Sequence, residues 1–90
     1  MLERFKGYYI TMNKGYIYYR MTTIDAVHKK WNAICRGIEG DPKIKCVSMT
    51  CNERPVRINP HDLGAPVQHW IELGWDVEEV TEQEAFMEMI

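Results

Sequence analysis

The sequence predicts an α+β fold, in which one small domain carries a mainly antiparallel sheet with helices packed on one of its faces. Two observations predict it. Several short runs rich in tyrosine, isoleucine, valine and threonine alternate between apolar and polar residues, as half-buried strands do. Other stretches place apolar residues three and four positions apart, the spacing of one helix face. The predicted order is β-β-α-β-β-α-β-α, and a length of 90 residues fits a single domain over residues 1–90.

The first predicted unit is a β-hairpin. Residues 5–12 and 16–21 are its predicted strands, and the tripeptide Asn-Lys-Gly between them tolerates the positive φ angles of a tight loop. Because side chains alternate between the faces of a strand, we expect Tyr8 and Tyr19 in the core. The same alternation places three tyrosines on the surface, namely Tyr9, Tyr16 and Tyr18.

Residues 23–36 are predicted to form a helix. Thr22 or Thr23 can cap its first amides, Asp25 suits the positive end of the helix dipole, and Gly37 can end it. Five apolar residues at helical spacing form the predicted buried stripe: Ile24, Val27, Trp31, Ile34 and Ile38.

A strand over residues 43–51 and a short strand over residues 56–59 follow, each preceded by a turn. Since Pro55 lacks an amide donor, the short strand is expected at an edge of the sheet.

The C-terminal third is predicted to contain a helix, a strand and a second helix. The first helix begins at Ala65 or Pro66 and ends at Gly74, and a strand follows over residues 75–80. Thr81 and Glu84 match a capping box, which predicts the start of a last helix over residues 82–89.

The charge of the chain is divided between its two parts. Residues 1–57 contain all eleven basic residues and five acidic ones, a net charge of +6, whereas residues 58–90 carry eight acidic residues and a net charge of −8. Such a division is typical of a charged interaction surface, or of two halves that neutralise each other when they fold together. With no apolar run long enough for a membrane span, no secretory signal at the start and an odd number of cysteines, we expect a soluble, cytoplasmic protein with reduced thiols.

The motifs of known catalytic chemistry are not found in the sequence, so we expect a protein that is not an enzyme and has no cofactor. Metal binding is a weak alternative. The candidate zinc ligands are Cys46, Cys51, His61 and His69, but strand alternation directs the two thiols to opposite faces. We therefore expect no metal site.

The sequence favours a small binding protein that acts on a protein partner as a regulator or inhibitor, of the kind that phages and other mobile elements encode. Nucleic-acid binding through the tyrosine-rich hairpin and the basic helix is an alternative, and so is a nucleotide-like small-molecule ligand. A homodimer through an open strand edge is also left open. The candidate partner-binding residues are Tyr9, Tyr16, Tyr18, Arg20, Lys29, Lys30, Arg36, Trp75, Asp76, Glu78, Glu79, Glu82 and Phe86.

Overall fold

The computed structural model describes residues 15–58 and 64–89, which form a mainly antiparallel sheet and two helices. Its elements are β1 (Tyr16–Ile24), β2 (Lys30–Ile38), β3 (Lys43–Cys51), β4 (Arg54–Pro55), β5 (Ala65–Pro66), α1 (Val67–Glu72), β6 (Asp76–Val80) and α2 (Glu82–Met89). The strands lie in the order β4-β3-β2-β1-β6, and β5 pairs with the end of β3 that is far from β4. The predicted antiparallel sheet is confirmed, whereas the predicted order of helices and strands differs.

Strand β1 confirms the predicted strand over residues 16–21 and continues to Ile24, but its neighbours are not those expected. Along Tyr18–Thr22, one edge of β1 bonds to β2 and the other to β6. The hairpin predicted with residues 5–12 is therefore wrong for this part of β1, because no edge is open there. Residues 5–12, with Tyr8 and Tyr9, lie outside the described residues.

The helix predicted over residues 23–36 is wrong, since most of that segment forms the central strand β2. A central strand is covered on both faces, so apolar residues need not alternate along it. Ala33, Ile34 and Cys35 are consecutive and all buried, which removes the two-residue period. The remaining apolar residues then fall by chance at helical spacing.

Asp25 begins a turn between β1 and β2 rather than a helix. Its Oδ1 accepts hydrogen bonds from the backbone amides of Val27 and Lys29, each at 2.9 Å, and its Oδ2 accepts one from the Trp31 indole at 3.0 Å. His28 has a φ of 65°, which closes the turn. These donors hold the pKa of Asp25 below its ordinary value, the indole contributing most.

A bulge in β3 changes which side chains share a face. Cys35 pairs with Cys46, whereas Ile34 pairs with Ser48, so Val47 is an extra residue. After this point the alternation is reversed, and Cys51 lies on the same face as Cys46. The sequence had directed these two thiols to opposite faces, because a bulge is not visible in a regular alternation.

The two helices lie on opposite faces of the sheet, which corrects the predicted packing on one face. Trp70 of α1 packs with Met21 and Cys35, whereas Ala85 of α2 packs with Tyr18 and Ile34. Tyr18 and Met21 are three residues apart in β1, so their side chains point to opposite sides. Two small cores result, one under each helix.

The short strand predicted over residues 56–59 is also wrong for residues 56–58, because the pairing residues are Arg54 and Pro55, and residue 59 lies outside the described residues. Asn52 and Glu53 both have positive φ, at 49° and 67°, and form the two-residue turn that returns the chain from β3. The strand predicted over residues 75–80 is confirmed as β6.

Two helix boundaries predicted in the C-terminal third are confirmed, namely the glycine stop of the first helix and the capping box of the last. The predicted start of the first helix at Ala65 or Pro66 is wrong, because these residues form β5 and the helix begins at Val67. Helix α1 ends at Glu72, two residues before Gly74, which has a φ of 101°, and the amides of Gly74 and Trp75 bond back to the carbonyls of Ile71 and Trp70. At the start of α2, the Glu84 amide donates to the Thr81 hydroxyl at 3.1 Å and the Thr81 amide donates to Glu84 Oε1 at 3.1 Å. In the part of the chain that the structure describes, neither helix is long and apolar enough to cross a bilayer.

Candidate functional site

Three aromatic rings form a continuous row from β1 to α2. The ring centroids of Tyr16 and Tyr18 are 6.4 Å apart, and those of Tyr18 and Phe86 are 5.8 Å apart, both in edge-to-face geometry. Tyr18 in the middle is only 4% exposed, whereas Tyr16 is 53% and Phe86 48% exposed. The buried ring therefore holds two surface rings in place.

Arg36 and Ile38 of β2 extend this row into a surface. The guanidinium carbon of Arg36 lies 4.5 Å from the centre of the Tyr16 ring, which is within cation–π distance. Ile38 is the cross-strand partner of Tyr16 and is 44% exposed. We call Tyr16, Arg36, Ile38 and Phe86 the aromatic patch.

A basic cleft borders the aromatic patch on the side of β3. Its volume is about 330 Å³, and its lining among the described residues includes Arg36, Lys43 and Lys45 and one carboxylate, that of Asp41. Lys45 is the cross-strand partner of Arg36, so their two positive charges lie side by side on the sheet. The cleft is therefore positive where it meets the aromatic patch.

The acidic residues of β6 and α2 lie on the other side. Asp76, Glu78, Glu79 and Glu82 are all exposed, and we call them the acidic ridge. Glu78 is also paired with Arg20, and Glu79, opposite Tyr19, lies on the other face of β6. Two further acids of these elements, Glu84 and Glu88, have internal roles. Glu84 forms the helix cap, and Glu88 forms an ion pair with Arg20 of β1.

Arg20 joins the two oppositely charged parts of the chain. Its Nη2 lies 2.6 Å from Glu78 Oε1, and its Nη1 lies 3.3 Å from Glu88 Oε2. The hydrogen bond to Glu78 is the main cause that raises the pKa of Arg20 above its ordinary value. Arg20 thus forms ion pairs within the chain. The sequence predicted it as a partner-binding residue and did not indicate these pairs.

Three aromatic residues are less available, or less buried, than the sequence predicted. Tyr18 was expected on the surface and is buried, because α2 covers it. Tyr19 was expected in the core and is half-buried against it, where burial, with a smaller effect of Glu79, raises its pKa. Trp75 is also half-buried, with its ring centroid 5.1 Å from that of Trp70, so little of it can face a partner.

The basic helix proposed from the sequence does not exist. Lys29 precedes β2 and Lys30 begins it, whereas Arg36 lies near its end, about 20 Å from Lys30 at the rise of a strand. The two lysines are exposed but remote from the aromatic patch. They therefore do not form one basic surface with Arg36.

The cysteines of the described residues occupy structural positions. Cys35 and Cys46 are buried cross-strand partners, and the hydrogen bond to Cys46, together with burial, raises the pKa of Cys35. Over residues 15–58 and 64–89, no three His, Cys, Asp or Glu side chains are grouped to hold a metal ion. His61 lies outside these residues, and His69 is exposed on α1.

The chain matches no protein-family model, no curated protein and no solved structure. The site is therefore described by its own residues. Sequence reasoning selected Tyr16, Arg36 and Phe86 but not Ile38, which it assigned to the buried stripe of a helix. A strand assignment for residues 30–38 would have placed Ile38 at a strand end, where exposure is common.

Proposed function

We propose that this chain is a small, non-catalytic binding protein that regulates or inhibits a protein partner through the aromatic patch. One observation carries the proposal. Tyr16, Ile38 and Phe86 come from three different elements, and each is about half exposed. Ile38 is the cross-strand partner of Tyr16, and the rings of Tyr16 and Phe86 both contact the buried ring of Tyr18. Contiguous exposed apolar groups of this kind mark interaction sites more often than isolated ones do.

The composition and support of the patch fit a protein interface. Tyrosine and arginine are among the residues that contribute most to binding energy at interfaces. Here the sheet and the Tyr18 ring fix the positions of Tyr16 and Phe86, and the Tyr16 ring restricts Arg36. Since these side chains are already ordered, binding a partner costs less conformational entropy.

The charges on the two sides of the aromatic patch have opposite signs. The basic cleft with Lys43 and Lys45 lies on one side, and the acidic ridge lies on the other. A partner with complementary charges would be steered into one orientation, and its association rate would fall as salt increases. The apolar contact at the centre would depend on salt much less.

A pair of matched double variants tests this proposal. Tyr16→Thr/Ile38→Thr removes two apolar groups of the patch while keeping residues that favour strands. The control, Ile71→Gln/Leu73→Gln, removes two exposed apolar groups from α1 and the residue after it, which are 47% and 62% exposed and belong to the opposite face of the sheet. Both variants should keep the wild-type circular dichroism spectrum.

The measurement is affinity capture from lysates of the cells in which the gene is expressed, followed by quantitative mass spectrometry. We expect at least one protein to be retained by the wild type and by the α1 control and to be lost with the patch variant. Once that protein is purified, its affinity for the patch variant should be at least about tenfold lower than its affinity for the wild type. Equal retention by all three proteins would contradict the proposal.

Nucleic-acid binding is a second candidate, favoured by the stacking of Arg36 on Tyr16 beside Lys45. Against it, Tyr18 is buried under an acidic helix and Arg20 is ion-paired. Fluorescence anisotropy with labelled single- and double-stranded nucleic acids over a salt series separates the two candidates. Salt-dependent binding that is lost in Tyr16→Thr/Arg36→Gln would favour nucleic acid, and no binding at low salt would remove this candidate.

A further inference from the structure

A second and larger cavity lies on the same face of the sheet as α2. Its volume is about 540 Å³, and it is open to solvent near the turn that joins β1 to β2. Helix α2 covers Tyr18 and Ile34, whereas the cavity begins beyond them, over Thr22 and Asn32. The cavity is therefore separated from the aromatic patch by the helix.

The floor of this cavity is a row of polar side chains across four strands. The strand register places Asp76 opposite Thr22, Thr22 opposite Asn32, and Asn32 opposite Thr50. Cross-strand partners share one face of a sheet, so a carboxylate, two hydroxyls and a carboxamide lie side by side. Ile24 and Lys30, the pair next along β1 and β2, form part of the rim.

The carboxamide of Asn32 has an unused hydrogen-bonding group. Its Oδ1 is buried and has no hydrogen-bond partner. A buried acceptor without a donor is unfavourable and uncommon in folded proteins. Rotation about the last side-chain bond of asparagine is soft, so the oxygen can turn towards the cavity that Asn32 lines.

The charges around the cavity favour a positively charged ligand. Asp76 and Glu53 belong to its lining, and Lys30 is the one basic residue of the described lining. In the next row of the sheet, Arg20 is shared by two carboxylates, those of Glu78 and Glu88, which leaves a negative excess there too. Acceptor groups and negative charge together suit a ligand that donates N–H hydrogen bonds.

We propose that this cavity binds a small molecule with a protonated amine or guanidine group, which donates hydrogen bonds to Asn32 Oδ1 and to the neighbouring hydroxyl and carboxylate oxygens. This ligand differs from the nucleotide-like small molecule that the sequence left as an alternative, because the described lining has two carboxylates and one basic residue. It also differs from the protein partner of the aromatic patch in both position and chemistry.

The test is a titration of the ¹⁵N-labelled full chain with methylguanidinium, followed by nuclear magnetic resonance. The backbone amide and the side-chain amide of Asn32 report on the cavity, since Asn32 belongs to its lining and its floor. We expect saturable shifts at both signals with millimolar methylguanidinium and none with acetate. Acetamide, a neutral probe with N–H groups, should bind more weakly because it lacks the charge.

Two single substitutions and one control locate the binding. Thr22→Val keeps the shape of the side chain and removes its hydroxyl, and Asn32→Leu removes the carboxamide. Each should weaken methylguanidinium binding by about fivefold or more, the effect of one lost hydrogen bond. Tyr16→Thr/Ile38→Thr, which disrupts the aromatic patch, should bind the probe as the wild type does, so the two proposals can fail separately.

Three results would overturn the proposal. One is the lack of any saturable shift at the two Asn32 signals. Another is equal binding of methylguanidinium and acetamide or acetate, which would show that charge is not recognised. The third is unchanged binding in both Thr22→Val and Asn32→Leu, provided that the spectra show both variants to be folded.

Discussion

The ring of Phe86 meets the ring of Tyr18 edge-on, with their centroids 5.8 Å apart and their planes at 78°. This contact joins α2 to the sheet, because Tyr18 belongs to β1 and is buried beneath the helix. Phe86 is also half exposed and forms part of the aromatic patch. One pair of residues therefore links the stability of the fold to the surface proposed to bind a partner.

Tyr18 and Tyr16 should have very different effects on stability. Tyr18→Ala removes a ring that is 4% exposed and should lower the free energy of unfolding by about 3–5 kcal/mol. Tyr16→Thr removes a ring that is 53% exposed and should lower it by about 1 kcal/mol or less. Urea denaturation followed by tryptophan fluorescence measures both. Equal losses would mean that Tyr18 is not a core residue.

The elements that could be predicted from the sequence were those with a local signal. The capping box at Thr81 and the glycine that ends α1 are recognised within a few residues, and both were confirmed. Strand β2 could not be recognised in this way. Its burial on both faces depends on residues far away in the chain, and a buried central strand and a helix can have the same apolar pattern.

The candidate site could be predicted only in part, because contacts between distant parts of the chain bring its residues together. Tyr16, Arg36 and Phe86 were selected by residue type, but their contact depends on the pairing of β1 with β2 and on the position of α2. The burial of Tyr18 depends on α2 as well, and alternation along one strand cannot show which face a later helix will cover. Charge counts likewise could not show that Arg20 binds Glu78 and Glu88.

The capping box should contribute measurably to the stability of α2. Thr81→Ala removes the hydroxyl that accepts from the Glu84 amide, and we expect a loss of about 1 kcal/mol in the free energy of unfolding. Thr81→Ser keeps a hydroxyl at the same position and should lose much less. Chemical denaturation of the three proteins provides the comparison. A loss as large in Thr81→Ser as in Thr81→Ala would argue against a role of the cap.

Gly37 should tolerate no side chain, although its backbone conformation is ordinary. A Cβ atom at this position would lie 2.8 Å from Cγ2 of Ile44, a buried β-branched side chain with little freedom to move. Gly37→Ala should therefore lower the free energy of unfolding by about 1–3 kcal/mol. Gly15→Ala is the matched control, because nothing lies within 4 Å of the new Cβ atom. Similar denaturation midpoints for the two variants would contradict the close contact.

Two exposed carboxyl groups should make the free energy of unfolding depend on pH. The Thr81 amide and hydroxyl lower the pKa of Glu84 from its ordinary value of 4.5, and the Trp31 indole and two backbone amides lower that of Asp25 from 3.8. Below these ordinary values the unfolded chain binds more protons than the folded one, so the free energy of unfolding falls as the pH falls. The contribution of both groups is fully present above these values and is lost as the pH drops through the lowered pKa values. Urea midpoints measured from about pH 6 to about pH 3 should fall less steeply in Glu84→Gln and in Asp25→Asn than in the wild type. Thr81→Val keeps the Glu84 carboxyl and removes one of its donors, so its slope of urea midpoint against pH should lie between those of Glu84→Gln and the wild type. Identical slopes in all four proteins would show that neither carboxyl is stabilised by folding.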